Sequence, residues 1–158
     1  MSLMDREAAP QVGLDQPFWE RRLLDECQHA ERFGQTFALI LLALDSVQAG
    51  ISAETVDLVG DSLRTGVRQS DLVARVGPAL YSVLLIGTNP ECAVNVGERL
   101  VQHVRADAGS LVRELASLPL HFGVGVFSDR DGTAEALITA TERDLAARRH
   151  AGVVPTVA

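Results

Sequence analysis

Apolar positions recur every three or four residues from Trp19 through Leu23, Cys27 and Ala30, with Glu20, Arg21 and Glu31 between them. That is the period of an amphipathic helix, which the pattern places from Pro17 to Arg32 with Gly34 as its stop. The next run has a different character. Phe37-Ala38-Leu39-Ile40-Leu41-Leu42-Ala43-Leu44 is short, continuous and apolar, and suits a strand buried on both faces. Ser52 then stands at a helix N-cap, with Thr55 in place of the usual acidic partner. Val56, Val59, Leu63 and Val67 continue that second helix, predicted to reach Gln69.

Leu72 to Val76 and Leu80 to Ile86 read as two strands joined by Gly77-Pro78-Ala79, a hairpin signal in which Pro78 suits only the turn. Pro90 opens a third helix that carries Ala93, Val96, Leu100 and Val104 on one face. Leu118 to Phe127 forms a further strand, broken early by Pro119 and ended by the turn cluster Ser128-Asp129-Arg130-Asp131-Gly132. A last helix is expected from Ala134 to Arg149. Between Ala106 and Pro119 the pattern is weakest, and Leu111 to Leu115 is readable as a short helix.

The order α-β-α-β-β-α-β-α predicts an α/β domain of the α+β sandwich kind. Its central sheet is expected to be mixed, mainly antiparallel, and flanked by helices. Residues 1–14 and 153–158 lack periodicity and are read as tails, which leaves 15–152 as one domain.

Composition narrows the partners. A net charge of −7 argues against a nucleic-acid polymer, although a local basic pocket can still take a small nucleotide. Cys27 and Cys92 are too few and too far apart for a disulfide framework or a zinc site, and are expected to be buried free thiols in a reducing cytoplasm. No apolar run approaches the roughly 20 residues of a membrane span, so a soluble, cytoplasmic domain is expected.

Four stretches in order carry a resemblance. Asp71-Leu72-Val73-Ala74-Arg75-Val76-Gly77-Pro78-Ala79-Leu80-Tyr81-Ser82-Val83-Leu84-Leu85 resembles the pattern D-x-x-A-R-x-G-G-D-E-F-x-V-L-L. Upstream, Leu41-Leu42-Ala43-Leu44-Asp45 resembles a strand end of the form L-D-x-D, and downstream His121-Phe122-Gly123-Val124-Gly125-Val126 resembles S-I-G-V-A. Arg68-Gln69-Ser70-Asp71 has the form R-x-x-D, with Leu72 to Val76 filling the gap before Gly77. Together, over Phe18 to Gly152, these resemble the GGDEF family of diguanylate cyclases.

The resemblance implies a bacterial signalling domain, and the departures from it imply that cyclase chemistry is lost. Such enzymes join two GTP molecules, and the divalent ions that neutralise the phosphates need acidic ligands converging at one point. The matching positions carry Ala43 and Ala79, and the next acidic position is Leu80. The hallmark pentapeptide is Gly77, Pro78, Ala79, Leu80 and Tyr81. Pro78 has no N–H and a fixed φ where the family has glycine. The loop after Asp45 is shorter than the family's guanine-holding loop. The expectation is therefore no catalytic residue, no metal and no cofactor.

The family's R-x-x-D pair binds cyclic di-GMP at an inhibitory site, and a second arginine on the following helix maps onto Arg99. A guanidinium fork can donate to guanine O6 and N7, while a carboxylate can accept from N1–H and the amino group. Arg68, Asp71 and Arg99 are thus the candidate ligand-binding residues. The pair also has a structural reading, because an arginine at a helix end complements the macrodipole and an aspartate can shape the entry to a strand. Asp45 is read as a strand-end cap, Arg75 as an ion-pairing strand residue, and Arg148-Arg149-His150 as a helix-end charge cluster. His29, His103, His121 and His150 share no ligand spacing.

Two functions follow. One is a cyclic di-GMP-binding regulatory module acting on a protein partner or through self-association. The other is a purely structural docking or dimerisation domain with no nucleotide ligand. Mononucleotide binding in the old cleft without turnover is a third.

Overall fold

The computed structural model describes residues 16–45, 50–87, 90–111, 115, 118–127 and 132–152. Helix α1 (Gln16–Phe33) follows the predicted period and ends where Gly34 takes a φ of 65°. The Gln35 N–H then donates to Ala30 O at 2.9 Å, which satisfies one of the carbonyls a helix end leaves open.

Strand β1 (Phe37–Leu44) is buried along its whole length. Its pleat divides the core in two. Ala38, Ile40, Leu42 and Leu44 face one layer, and Phe37, Leu39, Leu41 and Ala43 face the other. The first layer is covered by α2 (Ala53–Gly66) and α3 (Pro90–Asp107), the second by α1 and α4 (Ala134–Gly152). Burial of both faces is why the strand needs no polar alternation.

Strands β2 (Leu72–Gly77) and β3 (Leu80–Leu85) form the predicted hairpin, and β4 (Leu120–Phe127) closes the sheet in the order β2-β3-β1-β4. Each hydrogen-bonded neighbour pair is antiparallel. The core is thus a β-α-β-β-α-β arrangement with α1 before it and α4 after it. Gly123 of β4 lies directly under α4, and a β-carbon there would collide with the backbone of Leu145. Among the described residues no helix is long and apolar enough to cross a membrane.

Some boundaries differ from the sequence pattern. Helix α2 stops at Gly66 rather than Gln69, because Val67 is extended and the Asp71 carboxylate captures the Arg68 N–H at 3.0 Å. Strand β4 begins at Leu120, two residues beyond the predicted start, and Pro119 O instead accepts from the Asp45 N–H. Of the two thiols only Cys27 is buried. Burial, then the charges of Glu26 and Glu31, push it up to about 11. Cys92 is exposed on α3, which corrects the expectation of two buried thiols. The short helix expected at Leu111 to Leu115 and the turn at Ser128 to Gly132 fall largely outside the described residues.

Candidate functional site

The strands bring two separate places to opposite ends of the sheet. One is the hairpin end, where the last residues of β1 meet the β2–β3 turn. Ala43 pairs with Leu80, and the Leu44 N–H donates to Ala79 O at 3.0 Å. Arg75 folds over the turn, donating to Gly77 O at 3.1 Å and Pro78 O at 2.7 Å. Its guanidinium thus binds two turn carbonyls.

A cavity of about 320 Å³ opens there, lined by Leu41, Ala43, Leu44, Ala79, Leu80 and Leu145 with Pro78, Glu142 and Arg149. Ala43, Ala79 and Leu80, which the resemblance aligns with carboxylate ligands of a divalent ion, present methyl and isobutyl groups. They do not fit a metal. Among the described residues no group of three or more His, Cys, Asp or Glu could hold one.

Beside the cavity, Arg149 of α4 holds Asp45 through two hydrogen bonds, Nη2 to Oδ1 at 2.7 Å and Nε to Oδ2 at 3.2 Å. His121 Nε2 lies 3.4 Å from the same carboxylate. Asp45 is therefore an anchor for α4 rather than only a strand-end cap. Arg149 is committed to a carboxylate and not available as an unpaired phosphate ligand. Its neighbour Arg148 pairs with Asp144 at 2.8 Å and lies over the Phe122 ring, 4.6 Å from its centroid. The two arginines read as one charge cluster do different work, and residues 104 apart in the chain give no sequence signal of their pairing.

The second place is the far end of the hairpin, where Leu72 pairs with Leu84. Asp71 precedes β2, and its side chain is 3% exposed. It accepts from Arg68 N at 3.0 Å, Arg68 Nε at 3.2 Å and Arg68 Nη2 at 3.1 Å. The Asp71 N–H returns a bond to Arg68 O at 3.0 Å, which closes a tight turn. Arg68 Nη2 also donates to Ile86 O at 2.8 Å. The hydrogen bonds that the guanidinium donates to Asp71, then the charge of that carboxylate, raise the guanidinium pKa. Over half of the Arg68 side chain remains exposed, at the rim of a depression of about 290 Å³ that Arg64, Val67, Gln69, Leu72 and Val73 also line.

The sequence reading brought Arg68 and Asp71 together, and they are together. Arg99 is exposed on α3 and is not among the residues that line this depression. Arg64, which the sequence reading passed over, does line it, although it is paired with Asp61. Asp71 differs most from expectation, because its carboxylate is turned inward onto Arg68. Another cavity, of about 390 Å³, lies against α1 near Gly87. Its acidic Glu26 is already paired with Arg22 at 3.0 Å.

Comparison with known proteins locates this architecture. No family model matches the sequence, and no curated protein matches it. Solved structures do. The GGDEF domain of TpbB (YfiN) from Pseudomonas aeruginosa is similar at a TM-score of 0.72 and 20% identity, over 86% of this chain and 84% of that one. The diguanylate cyclase SiaD of the same organism, solved with its activator SiaC, gives a TM-score of 0.74 and 21% identity over 87% of this chain and 55% of that one. The GGDEF domain of DgcB from Caulobacter crescentus, in complex with cyclic di-GMP, gives 0.68 and 16% over 85% and 84%. The chain has the GGDEF-domain fold.

Proposed function

We propose that this chain is a GGDEF-fold signalling module that does not cyclise GTP and that binds cyclic di-GMP through Arg68. The observation that carries the reading is an exposed guanidinium held in one orientation by a buried carboxylate, at the mouth of a depression. A guanidinium fixed in this way loses little freedom on meeting the acceptor edge of a guanine, which lowers the entropic cost of binding. Asp71 then aims Arg68 rather than receiving the base itself. Arg99, exposed on the neighbouring helix, is the second cation for a ligand long enough to reach it. The DgcB domain holds the same dinucleotide on the same fold, which supports the ligand class.

Loss of turnover follows from side-chain chemistry. Ala43, Ala79 and Leu80 cannot ligate magnesium, and Pro78 withholds an N–H at the turn. Cyclic di-GMP carries two guanines, so one ligand can bridge two copies of the domain or present a face to a protein partner.

The second reading is a docking domain with no nucleotide ligand, favoured by the apolar lining of the hairpin cavity. Binding of labelled cyclic di-GMP to wild type and to Arg68→Glu separates the two. Binding lost on charge reversal supports the first reading, and no binding to either protein supports the second.

A further inference from the structure

Strand β4 is an outer strand of the sheet, with β1 on one side and no strand on the other among the described residues. Its register fixes which backbone groups look outward. The Asp45 N–H donates to Pro119 O, so the alternate residues His121, Gly123 and Gly125 bond toward β1. The N–H and C=O of Leu120, Phe122, Val124 and Val126 therefore point away from the sheet. An open edge of this kind is a template for another strand. Here the Val124 N–H donates to Asp144 Oδ2 of α4 at 2.8 Å, and it is the one outward group with a partner among the described residues. The same oxygen accepts from Arg148 Nε at 2.8 Å. Arg148 then passes round the edge. The Phe122 ring beneath its guanidinium belongs to the α2 and α3 side of the sheet, and α4 packs on the other side. Gly123 and Gly125 let α4 hook the edge this closely, because a β-carbon at either would collide with it. Asp144 and Arg148 thus form a strap across the edge, with side chains 34% and 33% exposed.

We infer that the outer edge of β4 is a pairing surface for the β4 of a second copy of this chain, and that the Asp144–Arg148 strap holds it shut. The edge itself argues for this occupant. Leu120 to Phe127 contains no Asp, Glu, Lys or Arg to repel a copy and no Pro to break a ladder. Antiparallel pairing about a two-fold axis at Gly123 sets Phe122 of each copy opposite Val124 of the other, and Leu120 opposite Val126. Every outward N–H and C=O then meets its counterpart, and an aromatic side chain packs on a β-branched one. Strap and ladder exclude each other. The Val124 N–H has one proton to give, to Asp144 in the single copy or to the other backbone in the pair. Arg68 lies beside β2 at the opposite edge of the sheet, so the inference stands apart from cyclic di-GMP binding.

The test is sedimentation velocity of the whole chain without nucleotide over a range of concentrations, with hydrogen exchange read at Phe122, Val124 and Val126. Asp144→Ala, which removes the competing acceptor, is expected to tighten self-association about tenfold over wild type, the scale of one hydrogen bond. In that variant the Phe122 and Val126 amides are expected to exchange more slowly as the concentration rises. Adding Val126→Pro removes an outward N–H, leaves the bonds to β1 in place and is expected to return the variant to a monomer. Val126→Lys takes its place should proline unfold the protein. A folded Asp144→Ala that sediments as wild type does would overturn the inference, and so would association that survives the change at Val126. Protected Phe122 and Val126 amides in the wild-type monomer would overturn it too, because the edge would already be covered. If Asp144→Ala does not fold, Arg148→Ala opens the strap from its other end and carries the same expectation. Failure of both to fold would make the strap a structural bracket and no gate.

Discussion

Asp71 accepts three hydrogen bonds from Arg68, one from its backbone N–H and two from its guanidinium. One aspartate thereby ends α2, starts β2 and orients the arginine that faces solvent. Local structure and the candidate site rest on the same carboxylate.

Asp71→Ala is expected to act on both levels. It leaves the Arg68 N–H without its acceptor and frees the guanidinium, at a cost of about 1–3 kcal/mol in stability. Denaturant unfolding measures the loss. Cyclic di-GMP affinity is expected to fall too, although every atom of Arg68 remains. An unchanged affinity would show that aiming the arginine has no part in recognition.

The hairpin end makes a prediction of its own. With GTP and magnesium the protein is expected to yield no cyclic di-GMP, as followed by chromatography of the reaction. Product formed in proportion to protein would mean that acidic groups elsewhere than positions 43, 79 and 80 hold the metal.

Much of this was legible in the chain. The strand at Phe37 to Leu44 was readable because a run buried on both faces needs no polar partner, and the hairpin because Pro78 between two apolar runs suits only a turn. The end of α2 was not, since Val67 continues the apolar period and only the Asp71 carboxylate breaks it. The alanines at 43 and 79, which the resemblance reads as lost carboxylates, are visible as letters. The Arg149–Asp45 pair was not, because it joins residues that only the docking of α4 brings together. Arg99 was placed by the resemblance alone, and an aligned position does not say which way an exposed helix residue leans.

Gly123 tests how α4 is seated. Gly123→Ala forces a methyl group against the Leu145 backbone and is expected to destabilise by about 1–3 kcal/mol, measured by thermal or denaturant unfolding. A stability equal to wild type would show that α4 can lift from β4 without loss.

The thiols give a pH signature. The folded state holds Cys27 protonated up to about 11, against 9.0 for a free thiol, so the folded protein binds more protons in that window. Its contribution is complete below pH 9 and is lost as the pH rises toward 11. Tyr81 shifts in the same direction, chiefly through burial, and its hydroxyl donates to Val56 O. Thermal midpoints are expected to fall across this range, and less steeply in Cys27→Ala. A thiol reagent at neutral pH is expected to label Cys92 quickly and Cys27 only after unfolding.

The central claim is that Arg68 is a receptor for cyclic di-GMP. The most direct measurement is calorimetric titration of the dinucleotide into the wild-type protein and into Arg68→Ala, with folding of both checked by circular dichroism. Saturable binding to wild type that the substitution removes is the result the account predicts. No heat with folded wild type, or equal binding by the two proteins, would contradict it and leave the arginine as the clasp of a turn.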